Sequence, residues 1–129
     1  MKLKIEFFKE DLVDAIGAGI YEIDVYHNGK IETLYIGESI FVLVRCASHL
    51  FNMVKNPSYF GFTDNTIENS DITLNFHLLE QENDMKIRKQ KEKQYIANKS
   101  PISQSGISDR QKNIEQKIEA LTNFLNESE

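Results

Sequence analysis

The sequence predicts an α+β fold, in which a small antiparallel sheet is flanked by helices. Strands are indicated by an Asn28-Gly29 turn between two segments of alternating polarity, and by renewed alternation over residues 71–79. Helices are indicated by apolar residues at helical spacing in residues 39–54 and 83–98. The 129 residues, 40% hydrophobic and 27% charged, have the size and composition of one globular domain.

The first sixteen residues predict a strand and a helical turn. Residues 2–8 alternate between apolar and charged side chains, which is typical of a short strand. Residues 9–16 fit a single helical turn, and we expect Leu12, Val13 and Ile16 to point inward from it.

Residues 20–37 predict a β-hairpin, and the length of its loop decides which side chains share a face. A two-residue Asn28-Gly29 loop would pair Tyr21 with Ile36 and place Tyr21 and Tyr35 on opposite faces. A three-residue loop, with the glycine in a left-handed bulge, would pair Tyr21 directly with Tyr35. We predict the three-residue loop, because it brings the two tyrosine hydroxyls together.

The segment 39–54 predicts a helix that is apolar almost all round. One polar stripe interrupts it at positions i, i+3, i+4 and i+7: Arg45, Ser48, His49 and Asn52. The stripe is either the exposed face of the helix or part of a functional site. Lys55 to Ser70 is predicted to be mostly loop, because it contains Pro57, Gly61 and several Asn and Asp residues.

The second predicted helix, 83–98, carries most of the positive charge. Residues 86–99 hold six cations against a single acid, Glu92, so this segment carries +5 and the rest of the chain −10. Helical spacing puts Glu92 in an inward-facing row with Met85, Tyr95 and Ile96. A carboxylate in that position needs a cation, either a metal ion or a basic side chain in a salt bridge. The lysines either form a solvated face or follow a phosphate backbone.

The chain divides into a domain over residues 1–105, with its core at about 17–104, and a helical extension over 106–129. Ser108 to Gln111 resembles a capping box at the start of the last helix. Ile114, Ile118, Leu121 and Leu125 follow in 4-3-4 spacing. We expect this helix to pack on its own domain, since so short a zipper is weak, and pairing with a second copy is the alternative.

Composition predicts a cytoplasmic protein that is not bound to a membrane. The single cysteine, Cys46, cannot form an intramolecular disulfide and lies in an apolar helix, where an inert core thiol is expected. The sequence begins with no basic and apolar leader, and its longest apolar run, Ile40 to Val44, is too short to span a bilayer.

Several polar residues suit metal-assisted cleavage of a phosphodiester. Glu92 can hold Mg²⁺ or Mn²⁺, which prefer carboxylate and water ligands. Arg45 can clamp a phosphate oxygen and keeps its charge at all pH values. Tyr21 or His49 can activate a water molecule, and Tyr35 can orient water or phosphate.

The order of these residues resembles the GIY-YIG nuclease superfamily over about Gly17 to Gln104. Gly19-Ile20-Tyr21 and Tyr35-Ile36-Gly37 flank a hairpin, Arg45 and His49 lie eight and twelve residues after Gly37, and Glu92 follows in a basic helix. The resemblance implies a three-stranded antiparallel sheet flanked by helices and DNA cleavage with one divalent metal.

The same resemblance implies roles for individual residues. Tyr21 and Tyr35 correspond to the two motif tyrosines, Arg45 to the arginine of the first helix, and Glu92 to the metal-binding glutamate. His49 corresponds to a histidine that many members carry. Where the family commonly has an asparagine after a proline, this chain has Gln104, which could make a similar amide contact.

The sequence therefore predicts a divalent-metal-dependent DNA endonuclease. Its catalytic residues would be Tyr21, Tyr35, Arg45, His49 and Glu92, and its substrate-binding residues Lys89, Lys91, Lys93 and Gln104. The alternative is a nuclease fold kept as a binding or assembly module, which the net charge of −5 favours. The expected partners are DNA and, through the C-terminal helix, a second copy of the chain.

Overall fold

The computed structural model describes residues 1–104 and 110–129, without the side chains of 110–113. Four strands and three helices form the fold: β1 (Lys4–Phe7), β2 (Gly19–His27), β3 (Lys30–Ser39), α1 (Val42–Lys55), β4 (Ile72–Gln81), α2 (Met85–Lys99) and α3 (Arg110–Glu127). Every predicted strand and helix is present, with ends that differ by a few residues. None of the helices in the described residues is long and apolar enough to cross a membrane.

The strands form one mixed sheet in the order β1-β4-β2-β3. The pairs β4-β2 and β2-β3 are antiparallel, and β1 lies parallel to β4, with Lys4 opposite Thr73 and Phe7 opposite Phe76. The predicted α+β class is confirmed. The predicted number of three strands is wrong. The alternating N-terminal segment forms a fourth strand, β1, which pairs in parallel with β4 at the edge of the three antiparallel strands.

The β2-β3 hairpin has a two-residue loop, so the predicted three-residue loop is wrong. Asn28 and Gly29 both have positive φ, 51° and 79°, and His27 pairs with Lys30. A bulge then leaves Leu34 without an opposite residue and shifts the register by one. Beyond it Ile23 pairs with Tyr35, so Tyr21 and Tyr35 share a face as expected, although they are not directly opposite.

The two faces of the sheet have different covers. Alternate residues of β2 and β4 point into one hydrophobic core together with side chains from α1, α3 and the intervening loops: Tyr21, Ile23, Val25, Ile72, Leu74, Phe76, Val42, Cys46, Met53, Phe60, Phe62, Leu121 and Leu125. The other face carries Ile20, Glu22 and Ile36, which are buried where α2 contacts β2 and β3. The predicted core thiol, Cys46, is confirmed as buried.

Helix α1 is apolar almost all round, and the structure buries only one of its faces. Its buried residues are Val42, Cys46, His49 and Met53. Several of its large apolar residues are exposed instead: Val44, Phe51 and Val54 on the helix, with Ile40 and Phe41 just before it. The segment before β2 also exposes large apolar side chains. It forms turns in which Leu12, Val13 and Ile16 are exposed, so the prediction that these three point inward is wrong.

Helix α2 begins and ends where local chemistry dictates. The carboxylate of Asp84 accepts a hydrogen bond from the backbone N–H of Ile87, which caps the first turn. Ser100 adopts a left-handed conformation (φ 46°) and ends the helix before Pro101. Met85 is exposed, although the sequence predicts that it faces inward with Glu92, Tyr95 and Ile96. The chain then runs along the outer edge of β3, where Ile102 and Ser103 donate backbone hydrogen bonds to Thr33 and Leu34.

Helix α3 folds back on its own domain, as the sequence predicts. Leu121 and Leu125 lie in the core, and Lys117 donates a hydrogen bond to the backbone carbonyl of Tyr59 at 3.1 Å. Gly61 permits this approach, because a Cβ there would lie 2.5 Å from the carbonyl oxygen of Lys117. The predicted capping box at Ser108 to Gln111 lies outside the described side chains.

Candidate active site

Three side chains form a buried hydrogen-bond chain between β2, α1 and the following loop. The hydroxyl of Tyr21 lies 2.6 Å from Nε2 of His49, and the hydroxyl of Tyr59 lies 2.7 Å from Nδ1 of the same ring. A neutral imidazole has one donor and one acceptor nitrogen. One tyrosine therefore donates to His49 and the other accepts from it, and a proton can pass along the chain without moving any heavy atom.

Two further rings enclose the imidazole. The ring of Tyr35 makes an edge contact with His49 at 4.9 Å between centroids, and it stacks on Tyr21 at 6.3 Å. Phe60 packs on His49 and Tyr35 at 5.6 and 5.8 Å. Both motif tyrosines thus meet around the helix histidine, which the bulge at Leu34 makes possible by restoring Tyr35 to the face of Tyr21.

Burial sets the protonation states of this chain. Burial, followed by the charges of Arg45 and Lys117, lowers the pKa of His49 to about 3, so the imidazole is neutral at pH 7. Burial also raises the pKa of Tyr21 far above its usual range, and Arg45 offsets only part of that rise. A Tyr21 phenolate and a His49 imidazolium are both costly here, so a proton would have to pass through the imidazole to Tyr59 and not stay on it.

Arg45 is the cation of the site. It lies on the exposed side of α1, and partial burial opposes its charge, but the phenols of Tyr21, Tyr59 and Tyr35 raise the pKa of its guanidinium. Tyr21 and His49 are themselves only 1% and 0% exposed. A substrate would therefore meet Arg45 and the half-buried Tyr35 before either of the two buried groups.

Glu92 is half-buried on α2, near Glu38 at the end of β3. Burial, and then the charge of Glu38, raise the pKa of the Glu92 carboxyl, while Lys89 and Lys93 oppose the shift. Burial raises the pKa of the Tyr35 hydroxyl, and the negative charge of Glu92 also raises it. None of the ion pairs between described residues includes Glu92. A half-buried carboxylate with an acidic neighbour and no ion-pair partner suits a hard divalent cation.

The predicted substrate-binding residues have separate environments. Lys89 and Lys93 are exposed on α2, near Glu92. Lys91 forms ion pairs with Glu80 and Glu82 at 2.8 and 3.0 Å. Two other cations of the basic segment 86–99, which we call the basic strip, are also paired: Arg88 with Glu38 and Lys99 with Glu22. The strip is therefore less basic than its sequence suggests.

Gln104 lies against β3 and not in open solvent. Its amide oxygen accepts a hydrogen bond from the backbone N–H of Ile36 at 3.0 Å. This contact fixes the residue beside the Tyr35-Ile36-Gly37 motif, and its amide NH₂ group is the part left for a ligand.

A second polar cluster lies on the opposite face of the sheet. The nearest ligand atoms of Glu22, Asp24 and His77 lie within 4.8 Å of one another, an arrangement that could hold a metal ion. In the structure His77 bridges the two carboxylates at 2.7 and 3.1 Å, and Lys99 contacts Glu22. Hydrogen bonds to Asp24 and Glu22 raise the pKa of His77 to about 9. The cluster is thus already neutralised by its own cations.

Sequence reasoning missed Tyr59 and the second cluster. Tyr59 ends a short 3-10 helix, Pro57–Tyr59, where no periodicity or motif assigns a tyrosine to the contact with His49. The second cluster had a signal: Glu22 and Asp24 alternate on one face of β2, and His77 occupies the outward position of a strand whose inward residues are apolar.

Comparison of the chain with protein-family models, with curated proteins and with solved structures gave no match.

Proposed function

We propose that this protein is a divalent-metal-dependent endonuclease that hydrolyses DNA phosphodiester bonds. The observation that carries the proposal is the convergence of Tyr21, Tyr35, His49 and Arg45, with the charge of Glu92 on α2 acting on Tyr35. These residues come from four separate elements. The resemblance of their order to the GIY-YIG nuclease superfamily adds support that does not depend on the geometry.

Glu92 is the residue that would hold Mg²⁺ or Mn²⁺, with water and substrate phosphate as further ligands. When bound, such an ion polarises the phosphate and favours deprotonation of its water. The raised pKa of the Glu92 carboxyl fits this role, because a cation would relieve the unfavourable burial and the repulsion from Glu38. Lys89 and Lys93 flank the same turn of α2 and can bind the neighbouring phosphates.

Arg45 would bind the scissile phosphate. Its guanidinium is exposed and permanently charged, and it stands beside the phenols of Tyr21 and Tyr35. Two N–H donors of the planar guanidinium can reach the oxygens of one phosphate. The same two donors would stabilise the negative charge that develops on those oxygens in the transition state.

The buried chain would receive the proton of the attacking water. The Tyr21 hydroxyl can accept that proton as it passes its own to Nε2 of His49, while Nδ1–H of His49 passes its proton to the hydroxyl of half-buried Tyr59, which releases its own to solvent. His49 starts neutral, and Tyr59 holds its other nitrogen in place. In this scheme Tyr21 and His49 act as one unit and not as alternatives. Because both are buried, a small movement of Arg45 or Tyr35 must open the path to water.

A second candidate function is a nuclease fold that binds or assembles without cleaving. The observation that favours it is the neutralised basic strip, in which Arg88, Lys91 and Lys99 are held by acids of the protein itself. With a net charge of −5, DNA binding rests on few free cations.

Cleavage of supercoiled plasmid and branched DNA in Mg²⁺ or Mn²⁺ tests the first proposal. We expect nicking by the wild type, none above background by Glu92→Gln and Arg45→Ala, and nicking at the wild-type rate by Glu119→Gln, a matched change on the exposed face of α3. Equal activity in Glu92→Gln would overturn the assignment of the metal ligand. The absence of cleavage by all four proteins on every DNA form would favour the binding module.

Metal binding gives a readout that does not depend on activity. Titration with Mn²⁺, followed by water proton relaxation, should detect a site in the wild type that Glu92→Gln removes. Asp24→Asn is the matched control, because it alters the separate carboxylate cluster of Glu22, Asp24 and His77. Loss of binding in Asp24→Asn with retention in Glu92→Gln would place the metal in that cluster instead.

A further inference from the structure

The exposed surface of α1 and the preceding turns is unusually apolar. Eight large hydrophobic side chains there are each more than half exposed: Leu12, Val13, Ile16, Ile40, Phe41, Val44, Phe51 and Val54. Two backbone hydrogen bonds join the two parts, from Val42 to Gly17 at 2.9 Å and from Leu43 to Ala15 at 3.1 Å. We call these eight residues the α1 face.

The α1 face is as large as one side of a stable interface. If each side chain exposes on the order of 100 Å², the face amounts to about 800 Å², which is what one partner buries in a standard complex. Monomeric proteins rarely expose contiguous apolar patches above a few hundred Å². The eight residues of the face are all uncharged and apolar, so it suits a protein surface better than a polar ligand.

From this geometry we propose that the α1 face is the interface of a homodimer, in which the two α1 helices pack antiparallel around a two-fold axis. The spacing of the exposed residues is self-complementary. A two-fold axis between Ala47 and Ser48 places Val44 opposite Phe51 of the second copy, and Phe41 opposite its Val54. Each large ring then faces a smaller β-branched side chain, and small residues meet at the centre, where the helices come closest.

The charges at the two ends of the face also complement each other. Asp14 is exposed in the turns beside the start of α1, and Lys55 is the exposed last residue of the helix. Neither takes part in an ion pair between described residues. An antiparallel arrangement brings Asp14 of one copy toward Lys55 of the other, twice per dimer. A parallel arrangement would instead bring like charges together at each end.

This dimer does not depend on the proposed nuclease activity, and it differs from one formed by the C-terminal helix. Leu121 and Leu125 of α3 are buried in the core of their own domain, so they cannot also supply a zipper. His49, on the opposite side of α1, stays within the domain.

Sedimentation velocity over roughly 1 μM to roughly 1 mM tests the dimer. We expect the wild type to approach twice its mass of 14.9 kDa, and Phe51→Glu to weaken association by about 100-fold or more, since the charge is buried twice. Val44→Lys should act in the same way at an independent position. Ile31→Glu, which alters a 52% exposed residue outside the face, should associate like the wild type.

Two results would overturn the proposal. One is a wild type that stays monomeric over the whole range of protein concentration, and the other is an Ile31→Glu variant whose association is weakened as much as that of Phe51→Glu. The antiparallel arrangement has its own test. Lys55→Glu should weaken association by about 10-fold, and adding Asp14→Lys should restore it, because the swapped charges meet across the axis. A double variant that associates more weakly than Lys55→Glu would exclude this arrangement. Far-ultraviolet circular dichroism of each variant checks that the fold is retained.

Discussion

Gly37 shows how one missing side chain shapes the site. The Tyr21 ring lies directly over this glycine, and a Cβ there would collide with the phenolic oxygen and ring carbons of Tyr21. Tyr21 pairs across the strands with Gly37, so the ring covers the position where the opposite side chain would stand. The glycine of the second motif is therefore needed for packing, and it lets the Tyr21 hydroxyl reach His49.

Replacing Gly37 with alanine should displace Tyr21 and destabilise the fold by about 1–3 kcal/mol, the usual cost of overpacking a rigid site. Urea unfolding measures this free energy. Gly17→Ala is the matched control, because a Cβ at that position has nothing within 4 Å. Equal stability of the two variants would mean that Tyr21 can move aside without cost.

His77 gives the fold a pH-sensitive ionic contact. Hydrogen bonds to Asp24 and Glu22 raise its pKa from 6.5 to about 9. A raised pKa means that the folded state binds the proton more tightly than the unfolded chain. The resulting stability is fully present below about pH 6.5 and is lost as the pH rises through about 9. For Glu22, burial opposes the charge, but hydrogen bonds from His77, Lys99 and Thr33 lower its pKa to about 2, so its contribution is lost only in strong acid.

The free energy of unfolding of the wild type should therefore fall between pH 6.5 and 9, on the order of 1–3 kcal/mol. His77→Gln removes the titrating group, so its stability should be lower at pH 6 and nearly constant over the same interval. Urea unfolding at several pH values gives both curves. Parallel curves for the two proteins would show that His77 gains no proton affinity on folding.

At the scale of the elements, the sequence predicted which segments form strands and helices but not how each one is oriented. Turn residues and alternation located the hairpin, yet its register depends on the bulge at Leu34, which no local pattern marks. The bulge forms where Leu34 becomes fully buried and its carbonyl accepts the hydrogen bond from Ser103, a contact 69 positions along the chain.

The same limit applies to α1 and to the site. An almost wholly apolar helix has no unique hydrophobic face, so its sequence leaves the buried side undecided. The structure buries His49 because two tyrosine hydroxyls satisfy both ring nitrogens, and one of them, Tyr59, lies in a single 3-10 turn that carries no periodic pattern. Motif order identified Tyr21, Tyr35, Arg45 and His49 as neighbours, but their burial depends on tertiary packing.

Helix α3 should contribute to the stability of the whole domain, because Leu121 is fully buried among residues of the sheet and loops. Leu121→Ala should cost about 2–5 kcal/mol through lost apolar burial and the cavity left behind. Glu119→Ala, on the exposed side of the same helix, should change the free energy of unfolding by less than about 0.5 kcal/mol. Equal changes in the free energy of unfolding for the two variants would mean that α3 unfolds independently of the domain.

For the molecule as a whole, the arrangement of charge decides how it could approach DNA. Acids of the sheet and of the following loop neutralise three cations of α2 and its end: Arg88, Lys91 and Lys99. Lys89 and Lys93 remain exposed near Glu92, and Arg45 is exposed beside Tyr21. An acidic protein can therefore still present a small positive edge at the proposed site, with repulsion elsewhere limiting where DNA binds.

This arrangement predicts which lysines contact phosphate. In a Glu92→Gln background, which prevents cleavage, replacing Lys89 and Lys93 with glutamine should weaken DNA binding and reduce the slope of log K against log salt by about 1–2, near 0.9 for each lost phosphate contact. Lys91→Gln should leave the slope unchanged, because Glu80 and Glu82 already hold that ammonium group. Fluorescence anisotropy with labelled duplex DNA measures the slopes. An equal change in Lys91→Gln would show that its ion pairs open on binding, and then the whole strip, not this edge, would be the DNA-binding surface.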